Sequence, residues 1–90
     1  MTEVELKNFR EKILETTTFP TVYMYKFIVP SDLRNIALAE NLFDADTDIH
    51  TKESNSGKYT SITAKQVVIG VDEIIDIYKK ASEIKGIIFL

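Results

Sequence analysis

Between Ser54 and Ile69 the chain turns back on itself. A short polar segment ends at Glu53, the triplet Asn55-Ser56-Gly57 follows, and a longer run rich in β-branched residues begins at Lys58. Asn, Ser and Gly are the residues that tight turns select, glycine because it reaches positive φ without a Cβ clash. Two runs of strand composition joined by such a turn make a β-hairpin. A helical pattern stands on each side of it, so the hairpin predicts an α+β architecture rather than a bundle or a barrel.

The flanking periodicities supply the other elements. From Glu3 to about Glu15 the spacing of Leu6, Phe9 and Ile13 predicts a helix, which the β-branched Thr16-Thr17-Thr18 ends. Phe19-Pro20 biases the backbone to extended geometry. Thr21 to Val29 then alternates, with Tyr23, Tyr25, Phe27 and Val29 on one face and Met24, Lys26 and Ile28 on the other. Ser31 is the expected cap of a second helix running to near Phe43, with Leu33, Ile36, Ala37 and Phe43 facing inward. The polar link Asp44 to Asp48 leads to a short edge strand, Ile49 to Glu53. In the long strand from Lys58 to about Ile69, Gln66 interrupts the alternation and predicts a bulge or a change of burial. Gly70-Val71-Asp72 opens a last helix with Ile74, Ile77, Tyr78, Ala81 and Ile84 inside. Asp76 with Lys80, and Lys79 with Glu83, are its expected surface ion pairs. Gly86 stops it, and Ile87 to Leu90 forms a closing strand.

The order is helix, then β-α-β-β-α-β. With right-handed crossovers this is the ferredoxin-like sandwich, a four-stranded antiparallel sheet with both crossover helices on one face. The reading divides the chain into an N-terminal helix and connection, residues 1–18, and a single ferredoxin-like domain, residues 19–90. The additional helix is expected at a sheet edge or over the open sheet face.

Composition narrows function mainly by exclusion. Ninety residues suffice for one core, and the 44% hydrophobic content fills it. The absence of cysteine removes disulfides, thiolate catalysis and thiolate-ligated metals. The acidic start Met1-Thr2-Glu3-Val4-Glu5 has no signal-peptide character and no segment is apolar enough to span a membrane, so a cytoplasmic location is expected. A net charge of −3 disfavours nucleic acid as a partner.

No constellation of catalytic residues stands out, and no enzyme activity or cofactor is expected. His50 is the only histidine and has no nucleophile at a helpful spacing. Asp44, Asp46 and Asp48 alternate like a calcium loop, but Asn55 stands where an EF-hand needs its closing glutamate. An RNA-recognition sheet needs further aromatic platforms where Ser61 and Ile62 stand. Acylphosphatases share the topology but place an arginine in a glycine-rich turn after the first strand, where this chain has Val29-Pro30-Ser31-Asp32. Amino-acid-binding ACT domains share it as well, with ligands near the first strand–helix junction, where glycine permits close contact; this chain has no glycine there, which counts against that reading. One candidate ligand site is the turn Ser54, Ser56, Gly57 and Lys58, with Lys52 or Lys26 nearby, whose N–H groups can form an anion nest. The competing reading is that these residues simply make a hairpin.

Phe19-Pro20-Thr21, Tyr25-Lys26, Lys52 with Ser54, Gly57, Tyr59 and Ser61, then Tyr78 and the apolar C-terminal strand, resemble the YbeD-like family of small bacterial proteins of unknown function. The resemblance runs from about Phe19 to Leu90. It implies a ferredoxin-like fold similar to regulatory ACT domains and supplies no reaction, cofactor or catalytic residue. The longer first helix and the acidic Asp44–Asp48 loop depart from the pattern. The expected function is a non-enzymatic regulatory or protein-interaction module acting through its sheet, by self-association or an unknown protein partner, with Met24, Lys26 and Ile28 on the interacting side. The alternative is an ACT-type sensor of an amino acid or similar small molecule; RNA binding is the remote third.

Overall fold

The structure is a computed structural model describing residues 1–90. Helix α1 spans Glu3–Thr16 and starts on Thr2, whose Oγ1 accepts the Glu5 N–H at 3.1 Å while the Glu5 carboxylate accepts the Thr2 N–H at 2.9 Å. Each group satisfies a donor that the first helical turn leaves free. Hydrogen bonding of the Glu5 carboxyl to the Thr2 backbone N–H first, and to the Thr2 side chain second, holds it below its ordinary value. Strand β1 (Thr21–Pro30) follows a cis Phe19–Pro20 bond.

Helix α2 (Leu33–Glu40), strands β2 (Asp48–Glu53) and β3 (Tyr59–Val68), helix α3 (Val71–Ala81) and strand β4 (Ile88–Phe89) complete the chain. The sheet order is β2-β3-β1-β4, with every neighbouring pair antiparallel. This is the ferredoxin-like α+β arrangement. Tyr25, Phe27 and Val29 of β1 and Ile62, Ala64 and Val68 of β3 are fully buried beneath Ala39 of α2 and Ile74, Ile77, Tyr78 and Ala81 of α3. Strand period and helix stripe thus meet in one core, which Leu6 and Ile13 of α1 share. Phe9 packs edge-on to Tyr78 at 4.7 Å between ring centroids, and Arg10 pairs with Asp72. α1 therefore lies in the helical layer beside α3, leaving the opposite sheet face uncovered.

Several local expectations are corrected. Asp32, not Ser31, caps α2, accepting the Asn35 N–H at 2.7 Å. The Ser31 hydroxyl instead meets Thr60 Oγ1 at 2.7 Å, which satisfies the one buried polar side chain. Starting there, α2 turns Leu33 outward, 87% exposed, and Ala37 is exposed too. The helix ends at Glu40, and Phe43 reaches the core from the following turns. No bulge forms at Gln66, because β1 and β3 keep one register from Thr21↔Val68 to Pro30↔Tyr59. Gln66 holds a helix-side position, where its Nε2 donates to Tyr25 Oη at 3.2 Å and its Oε1 lies 3.1 Å from Thr47 Oγ1. Its polarity reflects distant partners, not a break in the strand. Finally, Asp76–Lys80 and Lys79–Glu83 do not close; the ion pair is Arg10–Asp72, and His50 Nε2 lies beside Asp48 Oδ1. α3 itself ends at Ala81, and a turn carries Ile84 inward before Gly86 reverses the chain at φ +80°.

Candidate functional site

Residues of β1 with even numbers point away from the helices, and the registers place them in rows across the sheet. Val22 stands opposite Val67. Met24 stands opposite Lys65, which faces Asp48. Lys26 faces Thr63, then His50, while Ile28 lies between Ile88 on one side and Ser61 and Lys52 on the other. Side chains in one row sit about 4.5–5.5 Å apart at Cβ, so each row is a continuous surface.

Apart from Lys26 this face is apolar along β1, and it is charged toward β2. Val22, Met24 and Val67 are 63%, 52% and 66% exposed, and Ile88 adds to them. A row of half-exposed aliphatic side chains is a surface that water wets at a cost. Lys26, Lys65 and Lys52 stand around it with Asp48, whose Oδ1 is 3.0 Å from His50 Nε2. Met24, Lys26 and Ile28 therefore do share the open face. Val22, Val67, Lys65 and Ile88 belong with them, and sequence reasoning missed these four. Their strand parity was readable; their neighbours depend on register.

Ser54, Ser56, Gly57 and Lys58 lie together at the exposed hairpin tip, and their polar groups are mostly spent within it. The Gly57 N–H donates to Ser54 O at 3.0 Å, the Lys58 N–H to Ser56 Oγ at 3.3 Å, and the Tyr59 N–H to Ser54 Oγ at 3.2 Å. The Ser54 and Ser56 hydroxyls also meet each other at 3.3 Å. Gly57 takes φ +74°, which the turn requires. Lys52 and Ser54 line a shallow concavity of about 310 Å³ with Ile28, Tyr59 and Ser61; Ser56, Gly57, Lys58 and Lys26 do not line it.

A larger cleft, about 590 Å³, opens where β1 passes into α2, between Asp32, Arg34 and Asn35 on one wall and Glu83, Lys85 and Gly86 on the other. Its two cations stand among two carboxylates. Asp44, Asp46 and Asp48 do not gather: Asp44 Oδ1 accepts the Asp46 N–H at 3.2 Å and the Thr47 hydroxyl at 2.9 Å, closing its own turn. No group of three or more side chains is placed to hold a metal ion. No helix is long and apolar enough to cross a membrane.

The aromatic residues are committed to the helix side. Tyr25 packs against Tyr23, Phe27, Phe43 and Tyr78, with centroids 4.8 to 6.2 Å apart. Burial pushes the Tyr25 phenol up to about 12 and raises Tyr78 further, the hydroxyl of Tyr23 at 3.2 Å adding to the effect on Tyr78. Among the tyrosines only Tyr59 reaches the open face.

No curated protein and no solved structure matches the chain. A family match runs over residues 14–90, taking in every strand, both crossover helices and the last turn of α1. The chain therefore belongs to the family described as Protein of unknown function (DUF493), the YbeD-like family that its hairpin and first strand resemble.

Proposed function

We propose that this protein is a non-enzymatic interaction module that binds another protein through the open face of its sheet. The observation that carries the reading is the uncovered pair of aliphatic groups on this face, Val22, Met24 and Val67 at one end and Ile28 with Ile88 at the other, with Lys26 between them and Lys52 and Lys65 beside them. Aliphatic surface flanked by lysines suits an acidic, amphipathic protein segment: apolar side chains lie along β1 and carboxylates reach the lysines. Face-to-face packing of two copies is opposed, because lysine rows would meet lysine rows.

The test is affinity capture from the native cell with the wild-type chain, a Met24→Asp/Val67→Asp variant and a Leu33→Asp control on the helical side. All three are expected to stay folded, since the substituted side chains are exposed. A partner held by wild type and by the control, lost from the sheet-face variant and bound through an acidic segment supports the reading. Equal capture by all three chains overturns it.

The cleft lined by Arg34, Lys85, Asp32 and Glu83 favours a second reading, an ACT-type sensor of a small zwitterion such as an amino acid. A thermal-shift screen across amino acids separates the two. Saturable stabilisation lost in Arg34→Ala supports the sensor; no shift at millimolar ligand removes it.

A further inference from the structure

The edge strand β2 carries a pattern that complements itself. Ser54 N–H donates to Tyr59 O at 2.8 Å, which makes Ser54 and Tyr59 a hydrogen-bonded pair of the β2–β3 ladder. In an antiparallel ladder such pairs alternate, so Lys52, His50 and Asp48 direct their backbone groups at β3. Ile49, Thr51 and Glu53 therefore direct theirs outward, beyond the sheet edge, where no strand lies. β2 is six residues long, without proline, and keeps one register with β3 throughout.

We infer that a second copy of this chain pairs with β2 across a twofold axis at His50, extending the sheet from four strands to eight. Backbone parity permits few antiparallel registers, and charge selects among them. With His50 opposite its symmetry mate, Ile49 and Thr51 of one copy exchange hydrogen bonds with Thr51 and Ile49 of the other. Asp48 then lies opposite Lys52 twice, in the non-hydrogen-bonded positions where side chains come closest. Lys65, Asp48 and the second copy's Lys52 follow one another along one row, a cation on each side of a carboxylate. Sliding two residues one way sets His50 against Lys52 twice and gives Asp48 no cation. Sliding two residues the other way leaves only Asp48 to His50 paired as strand. Lysine on an edge strand also guards against nonspecific pairing, and a guard needs no complementary aspartate at matching spacing.

Five paired residues a side bury less than a stable dimer needs, so the association is weak and concentration-dependent. This inference does not rest on the open-face reading, since the edge and the face are different surfaces. The experiment is sedimentation velocity on the full chain from about 10 μM to about 1 mM, a range that brackets weak association. Asp48→Lys and Lys52→Asp are compared singly and together, with Lys12→Asp on exposed α1 as the charge-matched control. Each single change turns two attractive cross-strand pairs into two repulsive ones and is expected to raise Kd about tenfold or more. The double change restores opposite charges with the sense reversed and is expected to return Kd to within about threefold of wild type. Slower amide exchange at Ile49 and Thr51 at high concentration locates the contact. A wild-type chain that stays monomeric throughout overturns the inference, as does a dimer that the double exchange fails to restore.

Discussion

Two glycines with nearly the same positive φ separate local strain from packing. Gly57 sits at φ +74° with nothing within 4 Å of where a Cβ would stand. Gly86 sits at φ +80°, but its added Cβ would lie 2.8 Å from Pro30 Cγ and 3.3 Å from Pro30 Cδ. Left-handed geometry costs a residue with a Cβ roughly 1–2 kcal/mol. Alanine recovers about 0.4–1 kcal/mol by restricting the unfolded chain. Gly57→Ala is therefore expected to cost about 0.5–1 kcal/mol net. In Gly86→Ala the new Cβ would stand 2.8 Å from Pro30 Cγ, where an ordinary carbon contact needs about 3.5–4 Å. The atom met belongs to a closed ring at the end of β1, opposite Tyr59, so it cannot swing aside as a long side chain would. Overpacking of this kind adds about 1–3 kcal/mol, bringing the expected cost to about 2–4 kcal/mol. At about 4–8 °C per kcal/mol for a domain this size, the two variants separate clearly in melting temperature as well. Urea unfolding of both against wild type is the measurement. Gly86 also aims β4 at β1, so Gly86→Ala is expected to speed exchange of the Leu90 amide, which donates to Lys26 O at 3.1 Å. Equal destabilisation of the two variants, within about 0.5 kcal/mol, would refute the close approach of Gly86 to Pro30.

Alkaline stability follows from the buried phenols. Tyr25 titrates near 12 in the folded chain and Tyr78 higher still, against about 10 for an unfolded tyrosine, so the folded state keeps protons that the unfolded state loses. Stability is full below about pH 10 and falls as pH rises toward 12; urea midpoints that stay flat across that window, with tyrosinate absorbance as the companion signal, would contradict the assignment. Gln66→Ala leaves the Tyr25 hydroxyl without its donor and the Thr47 hydroxyl without one neighbour, an expected loss of about 1–3 kcal/mol. A urea midpoint shift in Gln66→Ala no greater than in the exposed-site change Lys12→Ala would show that this bridge does not hold the β2 approach to the core.

The alternation of β1 and the turn at Gly57 were enough to read the topology, because strand period, helix period and turn chemistry agreed with each other. Disagreement arose where a side chain serves a partner far along the chain. Gln66 looked like a defect because its partners, Tyr25 and Thr47, come together only in the folded sheet. Ser31 and Asp32 are both good caps, and Thr60 decides between them by claiming the Ser31 hydroxyl. The docking side of α1 was equally hidden. Its stripe of Leu6, Phe9 and Ile13 would suit either a sheet face or a helix, and contacts with Tyr78 and Asp72 of α3 set the outcome. Of the open face, Met24, Lys26 and Ile28 were legible from parity alone. Lys65 and Val67 join them only through the register with β3.

The overall charge of the chain hides the character of that face. Three of the eleven basic residues, Lys26, Lys52 and Lys65, share it with one of the fourteen acidic residues, Asp48. Charges interact over roughly 8–10 Å at physiological ionic strength, so a segment approaching the sheet meets the local lysines rather than the net negative charge. Pairing of β2 with a second copy would leave both open faces on the same side of one larger sheet, since Asp48 and Lys52 project from a common face. Two sites held at fixed separation convert a weak contact into a tighter one for any partner with two acidic segments, with no new contact needed. Asp48 then acts in two opposed ways. It holds the edge together through Lys52, and it lowers the positive charge of the face through Lys65. Asp48→Lys therefore weakens association of the chain while strengthening the attraction of a single face for an acidic segment. The two surfaces are separable by one residue because that residue contributes to each with opposite sign.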